Sequence, residues 1–267
     1  MKWMIPFGFL LAGTAFPASA QVVASDVPPA GVRDAGGRRE PPLVLAGRFY
    51  SAGMLVPESE LDVVGRLVEV VDPTLIERSV APAIQPYDRV LLVVMGNGVA
   101  IGERIQLLRS ASVVSPWGRI FIPTGSGQVL DVEAGVATVE VDRFYDRVAI
   151  DDIAIPMPEF DAPAGVSPVS ARGLEGRVVG FQSSEPLIAT EDVAFVNLGA
   201  TSGVVVGDEF EAYFPAGQEV WGRRPEVFVA KLQVLRVSLI TSAVRVVSLG
   251  HPALQVGLPV RLAARKP

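Results

Sequence analysis

The sequence predicts an all-β protein made of two tandem homologous antiparallel β modules, each a small barrel or sandwich, placed after a signal peptide and a flexible linker. Three observations predict this fold class. The chain contains an internal repeat, its apolar residues come in short β-branched runs, and its N-terminus carries an apolar leader.

The repeat has a constant offset. The hexapeptide GVAIGE at 98–103 returns as GVVVGD at 203–208, and QVLDV at 128–132 returns as QVLRV at 233–237, so both pairs are separated by 105 residues. One offset shared by two separate motifs indicates that a single module has been duplicated.

The first twenty residues have the pattern of a secretory signal peptide. Lys2 supplies the positive charge, Met4 to Phe16 form an apolar run, and small residues at 18–20 predict cleavage after Ala20. The apolar run is shorter than the roughly 20 residues that span a bilayer. We therefore expect a periplasmic or secreted protein with no transmembrane span in the mature chain.

Charge and cysteine content exclude some partners. The chain carries 23 Lys and Arg against 29 Asp and Glu, a formal net charge of −6, and it has no cysteine. Nucleic-acid and anionic-lipid binding draw on clustered basic residues, so neither is expected as the main partner. Stability must come from the core rather than from disulfides, and 49% hydrophobic residues can supply that core.

Proline- and glycine-rich stretches mark the domain boundaries. They predict a disordered linker at 21–42, a first module at 43–157, a second linker at 158–174 and a second module at 175–267. Residues Leu43 to Leu61 have no counterpart in the second module, and they could add an edge strand or pack across the sheet.

Within both modules the β-branched runs predict about six strands each. In the first module these are Gly65–Val71, Arg89–Met95, Glu103–Arg109, Arg119–Ile122, Gln128–Val132, Val136–Val141 and Val148–Ile155. In the second they are Gly176–Phe181, Val193–Leu198, Glu209–Phe214, Val227–Val237, Ala243–Ser248 and Pro259–Ala263.

Acidic residues recur where predicted strands begin. Glu103 and Asp208 each follow a glycine, and the tetrapeptide YDRV at 87–90 and 145–148 enters a strand in a related way. A glycine before an acid favours a turn, so we interpret these acids as turn formers rather than active-site groups. The glycine-rich stretch 124–127 is predicted to be a hairpin loop.

The second module resembles a known kind of domain. Its motifs are EDVAFVNLG at 191–199, GVVVGD at 203–208, VAKLQVLRV at 229–237 and SAVRVV at 242–247. They are similar to the β modules that follow LysM domains in bacterial envelope proteins, and to the C-terminal domain of the flagellar assembly protein T family. The resemblance covers roughly 176–262 and, more weakly, 65–155.

A LysM module itself is not part of the resemblance. Its strand running into a G-D-T-L turn and two short helices has no match in this sequence, so LysM recognition of peptidoglycan is not implied. The resemblance implies instead the setting in which such modules occur, namely the cell wall, the periplasm and large envelope assemblies.

Catalytic and metal-binding groups are scarce. His251 is the single histidine, and the flanking Gly250 and Pro252 predict a turn. Asp151 and Asp152 are adjacent, so on a strand they would point to opposite faces. Without a second histidine or a cysteine, we predict no enzyme activity, no catalytic residues, no metal site and no cofactor.

The tripeptide Trp-Gly-Arg occurs once in each module. Trp117, Arg119, Trp221 and Arg223 are the candidate binding residues, because indole rings anchor partners or stack on sugars and arginine reaches carboxylates. The alternative is that each tryptophan closes the end of its own barrel.

These observations predict a non-enzymatic cell-envelope scaffold or adaptor that binds an envelope protein or peptidoglycan. The alternative is a carbohydrate-binding or carbohydrate-active protein that uses the Trp-Gly-Arg loops.

Overall fold

The computed structural model describes residues 43–71, 84–161 and 169–265. The predicted signal peptide and the linker at 21–42 lie outside the described residues. The described part is all-β apart from one six-residue helix and two short 3-10 turns. It forms two closed six-stranded antiparallel barrels, so the predicted fold class is confirmed.

The chain enters through an N-terminal segment, Leu43–Leu61. This segment contains helix α1 (Ala46–Ser51), strand β1 (Met54–Val56) and a 3-10 turn at Glu58–Glu60. Strand β1 pairs antiparallel with a strand of the first barrel, Met54 lying opposite Phe121.

Barrel 1 follows directly. Its strands are β2 (Gly65–Val70), β3 (Arg89–Val94), β4 (Arg104–Val114), β5 (Gly118–Glu133), β6 (Val136–Phe144) and β7 (Ile153–Pro156). They are hydrogen-bonded in the order β5-β4-β7-β2-β3-β6, and β6 pairs with β5 to close the barrel.

Barrel 2 occupies the rest of the chain. The strands from there on are β8 (Val169–Ser170), β9 (Glu175–Phe181), β10 (Val193–Val196), β11 (Glu209–Phe214), β12 (Gly217–Glu219), β13 (Gly222–Arg224), β14 (Val227–Val237), β15 (Ser242–Leu249) and β16 (Pro259–Arg265). The closed order is β11-β14-β15-β10-β9-β16, with β11 pairing β16 and β8 added outside β16. Strands β12 and β13 form a separate hairpin.

The two barrels share one topology. In each, the first strand pairs with the second and the sixth, the fourth with the third and the fifth, the second with the fifth, and the third with the sixth. The interior of each is filled by apolar side chains from alternate strand positions, for example Leu92, Leu107 and Val139 in barrel 1 and Phe210, Leu232 and Val244 in barrel 2.

The predicted hairpin loop at 124–127 was wrong. These residues lie inside β5, which runs unbroken where two strands had been predicted. A Cβ atom at Gly125 or Gly127 would lie 2.7 or 2.5 Å from a carbonyl oxygen of β6. The glycines therefore allow a close crossing within the sheet rather than a turn.

Strand-entry turns have a common construction. At Asp88, Glu103, Asp152, Asp192 and Asp208 the carboxylate accepts a hydrogen bond from the backbone N–H three residues earlier. The residue before each acid has a positive φ, from 70° at Tyr87 to 94° at Gly207. These hydrogen bonds confirm the turn-forming role predicted for Glu103 and Asp208.

The tetrapeptide at 145–148 is different, and its predicted role was wrong. Strand β7 starts only at Ile153, and its entry acid is Asp152. Asp146 instead accepts from the Arg147 N–H and pairs with Arg109.

The N-terminal segment packs between the barrels. Its Phe49 and Leu55 join a buried cluster with Ile120 of barrel 1 and with Phe195 and Leu235 of barrel 2. The segment therefore both adds an edge strand and packs across a sheet, since β1 extends a sheet edge and the rest fills the inter-barrel space.

Polar contacts hold this packing in place. The Gly53 N–H donates to the Gln182 Oε1 at 2.7 Å, and the Gln182 Nε2 donates to the Ser51 carbonyl at 3.3 Å. The Thr241 hydroxyl donates to the Leu55 carbonyl. Over the part of the chain that the structure describes, no helix is long and apolar enough to cross a membrane.

Candidate binding surface

The two Trp-Gly-Arg tripeptides occupy the same place in the topology. Trp117 lies in the turn between β4 and β5, and Trp221 lies between the equivalent strands β11 and β14. In both, the glycine takes a backbone conformation that other residues rarely adopt, with φ of 118° at Gly118 and 128° at Gly222. The surroundings of the two tripeptides nevertheless differ.

The first tripeptide is built into the inter-barrel packing. Trp117 is half-buried and packs against the cluster formed by Phe49, Leu55 and Ile120. A Cβ at Gly118 would lie 2.3 Å from the Val56 carbonyl, so the turn approaches β1 closely.

Arg119 is held by structural partners as well. Its Nε donates to the Glu58 Oε1 at 2.6 Å and its Nη1 to the Ala111 carbonyl at 3.0 Å. Both predicted site residues of barrel 1 therefore stabilise the fold locally.

The second tripeptide sits at the tip of a hairpin outside the barrel sheet. Strands β12 and β13 pair from Gly217–Arg224 to Glu219–Gly222, which leaves Val220 and Trp221 as the two turn residues. These side chains are 91% and 95% exposed. Two adjacent apolar side chains so exposed to solvent are unusual on a protein surface and mark a candidate contact site.

Cationic side chains stand beside this tip. Arg223 and Arg224 are both exposed, and the Arg224 Nη2 lies 3.5 Å from the Pro215 carbonyl oxygen. We call Val220, Trp221, Arg223 and Arg224 the hairpin tip. Sequence reasoning found Trp221 and Arg223, but it missed Val220 and the hairpin, since short strands of polar residues and glycine have weak strand propensity.

Two clefts lie on barrel 2. One, of about 610 Å³, is lined by residues that include Leu174, Glu211 and Arg261. Arg261 bonds to Glu211 at 3.2 Å and to Glu226 at 2.8 Å, and its pKa is raised chiefly by the hydrogen bond to Glu226. The second cleft, of about 430 Å³, shares Glu175 with the first. The charge of Arg261 in the larger cleft is thus already neutralised by the protein's own carboxylates.

His251, Asp151 and Asp152 do not form a catalytic or metal-binding group. His251 is exposed in the turn after β15, and its Nδ1 accepts the Ala253 N–H at 3.2 Å. Asp151 is exposed, 3.8 Å from Arg66, whereas Asp152 is buried. Within residues 43–71, 84–161 and 169–265, no three His, Asp or Glu side chains are grouped to hold a metal ion.

Among the residues that the structure describes, Asp152 is the one buried acid whose pKa is shifted. It accepts hydrogen bonds from the Thr124 hydroxyl at 2.8 Å and the Ala149 N–H at 3.0 Å. Burial nevertheless raises its pKa above 3.8. Both partners belong to the barrel wall and the entry turn, so the arrangement is that of a structural acid.

No protein-family model matches the chain, and no curated protein matches it.

Proposed function

We propose that this protein is a non-enzymatic, exported scaffold or adaptor of the cell envelope, which binds an envelope protein or the cell wall through the hairpin tip. The observation that carries the proposal is the nearly complete exposure of Trp221 on a hairpin that is separate from both barrel sheets. Fully exposed tryptophan is costly in water and recurs as an anchor in binding sites.

The chemistry of the tip suits an acidic or amphipathic target. Indole supplies a flat apolar area with few rotatable bonds, and the neighbouring arginines pair with carboxylates such as those of wall peptides or acidic proteins. The signal peptide predicted at 1–20 supports export, and the resemblance to LysM-associated modules supports an envelope setting.

Binding is tested with a tryptophan variant of the hairpin tip and a leucine variant as its control. We expect Trp221→Ala to weaken retention by purified sacculi or by one reproducible envelope protein at least about tenfold, with unchanged circular dichroism. Leu187→Ala, which alters another exposed apolar side chain of barrel 2, should bind as the wild type does. Wild-type protein that recovers neither target, or equal binding by Trp221→Ala, contradicts the proposal.

The variant Trp117→Ala tests whether the two tripeptides have different roles. Because Trp117 packs in the inter-barrel cluster, we expect the substitution to lower the free energy of unfolding. The loss should be less than the roughly 3–5 kcal/mol that truncation of a fully buried tryptophan costs. Its binding should persist under conditions where it remains folded.

A second candidate function is glycan binding. The exposed Trp221 ring favours it, since an indole face stacks on sugar rings. Binding to purified glycan strands free of peptide distinguishes glycan recognition from the adaptor function. Binding to them that Trp221→Ala abolishes would favour glycan recognition, whereas retention only by a protein or by peptide-bearing wall would favour the adaptor function.

Export is tested independently. N-terminal sequencing of the protein recovered from the envelope fraction should begin at Gln21. A chain found only in the cytoplasm and starting at Met1 would overturn this part of the proposal.

A further inference from the structure

The shared topology gives each position of barrel 1 an equivalent in barrel 2. Val139 pairs with Val90 on one side and Val129 on the other, and Val244 pairs in the same way with Ala194 and Val234. Outward-facing positions can therefore be compared one by one.

Barrel 2 has one outer face that is covered. This covered face consists of Val179, Phe195, Val206, Leu235 and Ala243. Phe195, Leu235 and Ala243 are only 0%, 2% and 3% exposed, because the N-terminal segment and β5 of barrel 1 pack on them. Barrel 2 thus presents an apolar outer face that binds a segment of its own chain.

The equivalent face of barrel 1 is accessible. This open face consists of Val68, Leu91, Ile101, Leu130 and Thr138, which match the covered face position by position. Val68, Ile101 and Leu130 are 41%, 65% and 42% exposed, and Leu91 is half-buried. Leu130 is the clearest comparison, since its equivalent Leu235 is almost completely buried.

Charge distinguishes the two faces. At the position of Asp131 the covered face carries Arg236, whose guanidinium lies 5.3 Å from the Phe49 ring centroid. At the position of Glu69 it carries Gly180, where a Cβ would lie 3.6 Å from the Ile120 and Val114 side chains. The open face therefore has two exposed acids where the covered face has one arginine and one glycine that packs against barrel 1.

A second copy of this chain fits the open face poorly. In a two-fold dimer the same patch meets itself, so Glu69 and Asp131 would approach their own copies. Like charges in a contact that excludes water are unfavourable, and the net charge of −6 adds to the repulsion.

We propose that the open face binds a segment of another protein that carries aliphatic or aromatic side chains and a lysine or arginine. The segment docks on barrel 1 as Leu43–Val56 docks on barrel 2, with its cation opposite Glu69 and Asp131. This inference rests on the proposed adaptor function only for the existence of a protein partner, and it concerns a surface separate from the hairpin tip.

A site-specific photo-crosslinker in the full chain tests the inference. Placed at Leu130, it should give one adduct with another protein in the native cells, and placed at the more exposed Leu187 it should not. Peptide mapping should locate the adduct in an apolar segment with a Lys or Arg. The double substitution Glu69→Lys with Asp131→Lys should reduce the adduct about tenfold, while Glu185→Lys, on an exposed loop of barrel 2, should leave it unchanged.

Other outcomes overturn the inference. An adduct with a second copy of the chain would show a self-association surface instead. An adduct that the charge reversals leave unchanged, or labelling at Leu130 no greater than at Leu187, would show that the face has no basic partner. Trp221→Ala carrying the crosslinker at Leu130 separates the two surfaces, because failure of the hairpin tip leaves the Leu130 adduct intact.

Discussion

At the scale of single residues, the strand-entry acids show how side-chain chemistry builds this fold. Each carboxylate takes up a backbone N–H that the turn would otherwise leave unpaired, and a positive φ at the preceding residue makes this geometry possible. Glycine supplies that φ at 102 and 207, but tyrosine, aspartate and glutamate do so at 87, 151 and 191. The carboxylate contact and the positive φ are therefore constant features of the turn, whereas the residue type that supplies the φ varies.

Asp152 gives a prediction about pH. Because burial raises its pKa in the folded state, the folded protein binds this proton more tightly than the unfolded chain does. Its contribution to the free energy of unfolding is complete below the ordinary pKa of 3.8 and is lost as pH rises through the higher folded pKa.

Asp152→Asn removes this titration while its amide oxygen can still accept from Thr124 and Ala149. We expect the wild type to lose stability relative to Asp152→Asn as pH rises from about 3 to 7. Urea unfolding followed by circular dichroism across that range measures the difference. A difference that stays constant, or that moves in favour of the wild type, would show that the buried carboxyl does not titrate as described.

At the scale of elements, the N-terminal segment links the two barrels by packing against both. Leu55 is 1% exposed and Phe49 is 7% exposed, so a short piece of chain buries side chains against both barrels. The edge pairing of β1 with β5 aligns the segment, and apolar packing then fixes it.

Truncation of Leu55 tests this role. We expect Leu55→Ala to lower the free energy of unfolding by about 2–5 kcal/mol, because it leaves a cavity in the cluster between the barrels. Leu45→Ala in the same segment should change stability by no more than roughly 0.5 kcal/mol, since Leu45 is 51% exposed. Equal effects of the two substitutions in chemical denaturation would mean that the segment is not a structural part of the interface.

At the scale of the whole molecule, two copies of one barrel have acquired different roles. The outer face of barrel 2 packs against the N-terminal segment and against barrel 1. Barrel 1 contributes the β4–β5 hairpin with Trp117 to this contact. The buried Arg236 belongs to this shared interface. Its pKa is lowered to about 10 by burial, and its Nη1 donates to the Gln106 Oε1 across the barrels at 3.3 Å.

Cleavage of the chain between the barrels tests whether this interface holds without a covalent link. With a protease site placed within 162–168, we expect the two cleaved fragments to co-elute in size-exclusion chromatography, because the apolar cluster and its hydrogen bonds remain. The same cleaved protein with Leu55→Glu should separate into its fragments, since the substitution buries a charge. Separation of the fragments without that substitution would contradict an interface held by packing.

The sequence by itself determined the class of the fold, the duplication, most strand positions and the turn chemistry of Glu103 and Asp208. These follow from local causes, namely β-branched periodicity, a glycine before an acid, and a constant repeat offset. The interpretation of 124–127 failed because glycine signals both a turn and a close strand crossing, and only the neighbouring strand decides between them. Likewise, Trp117 and Trp221 begin identical Trp-Gly-Arg tripeptides, but one is packed and the other exposed. Burial depends on which surfaces meet in three dimensions, so only the tertiary structure could separate the structural tryptophan from the candidate binding one.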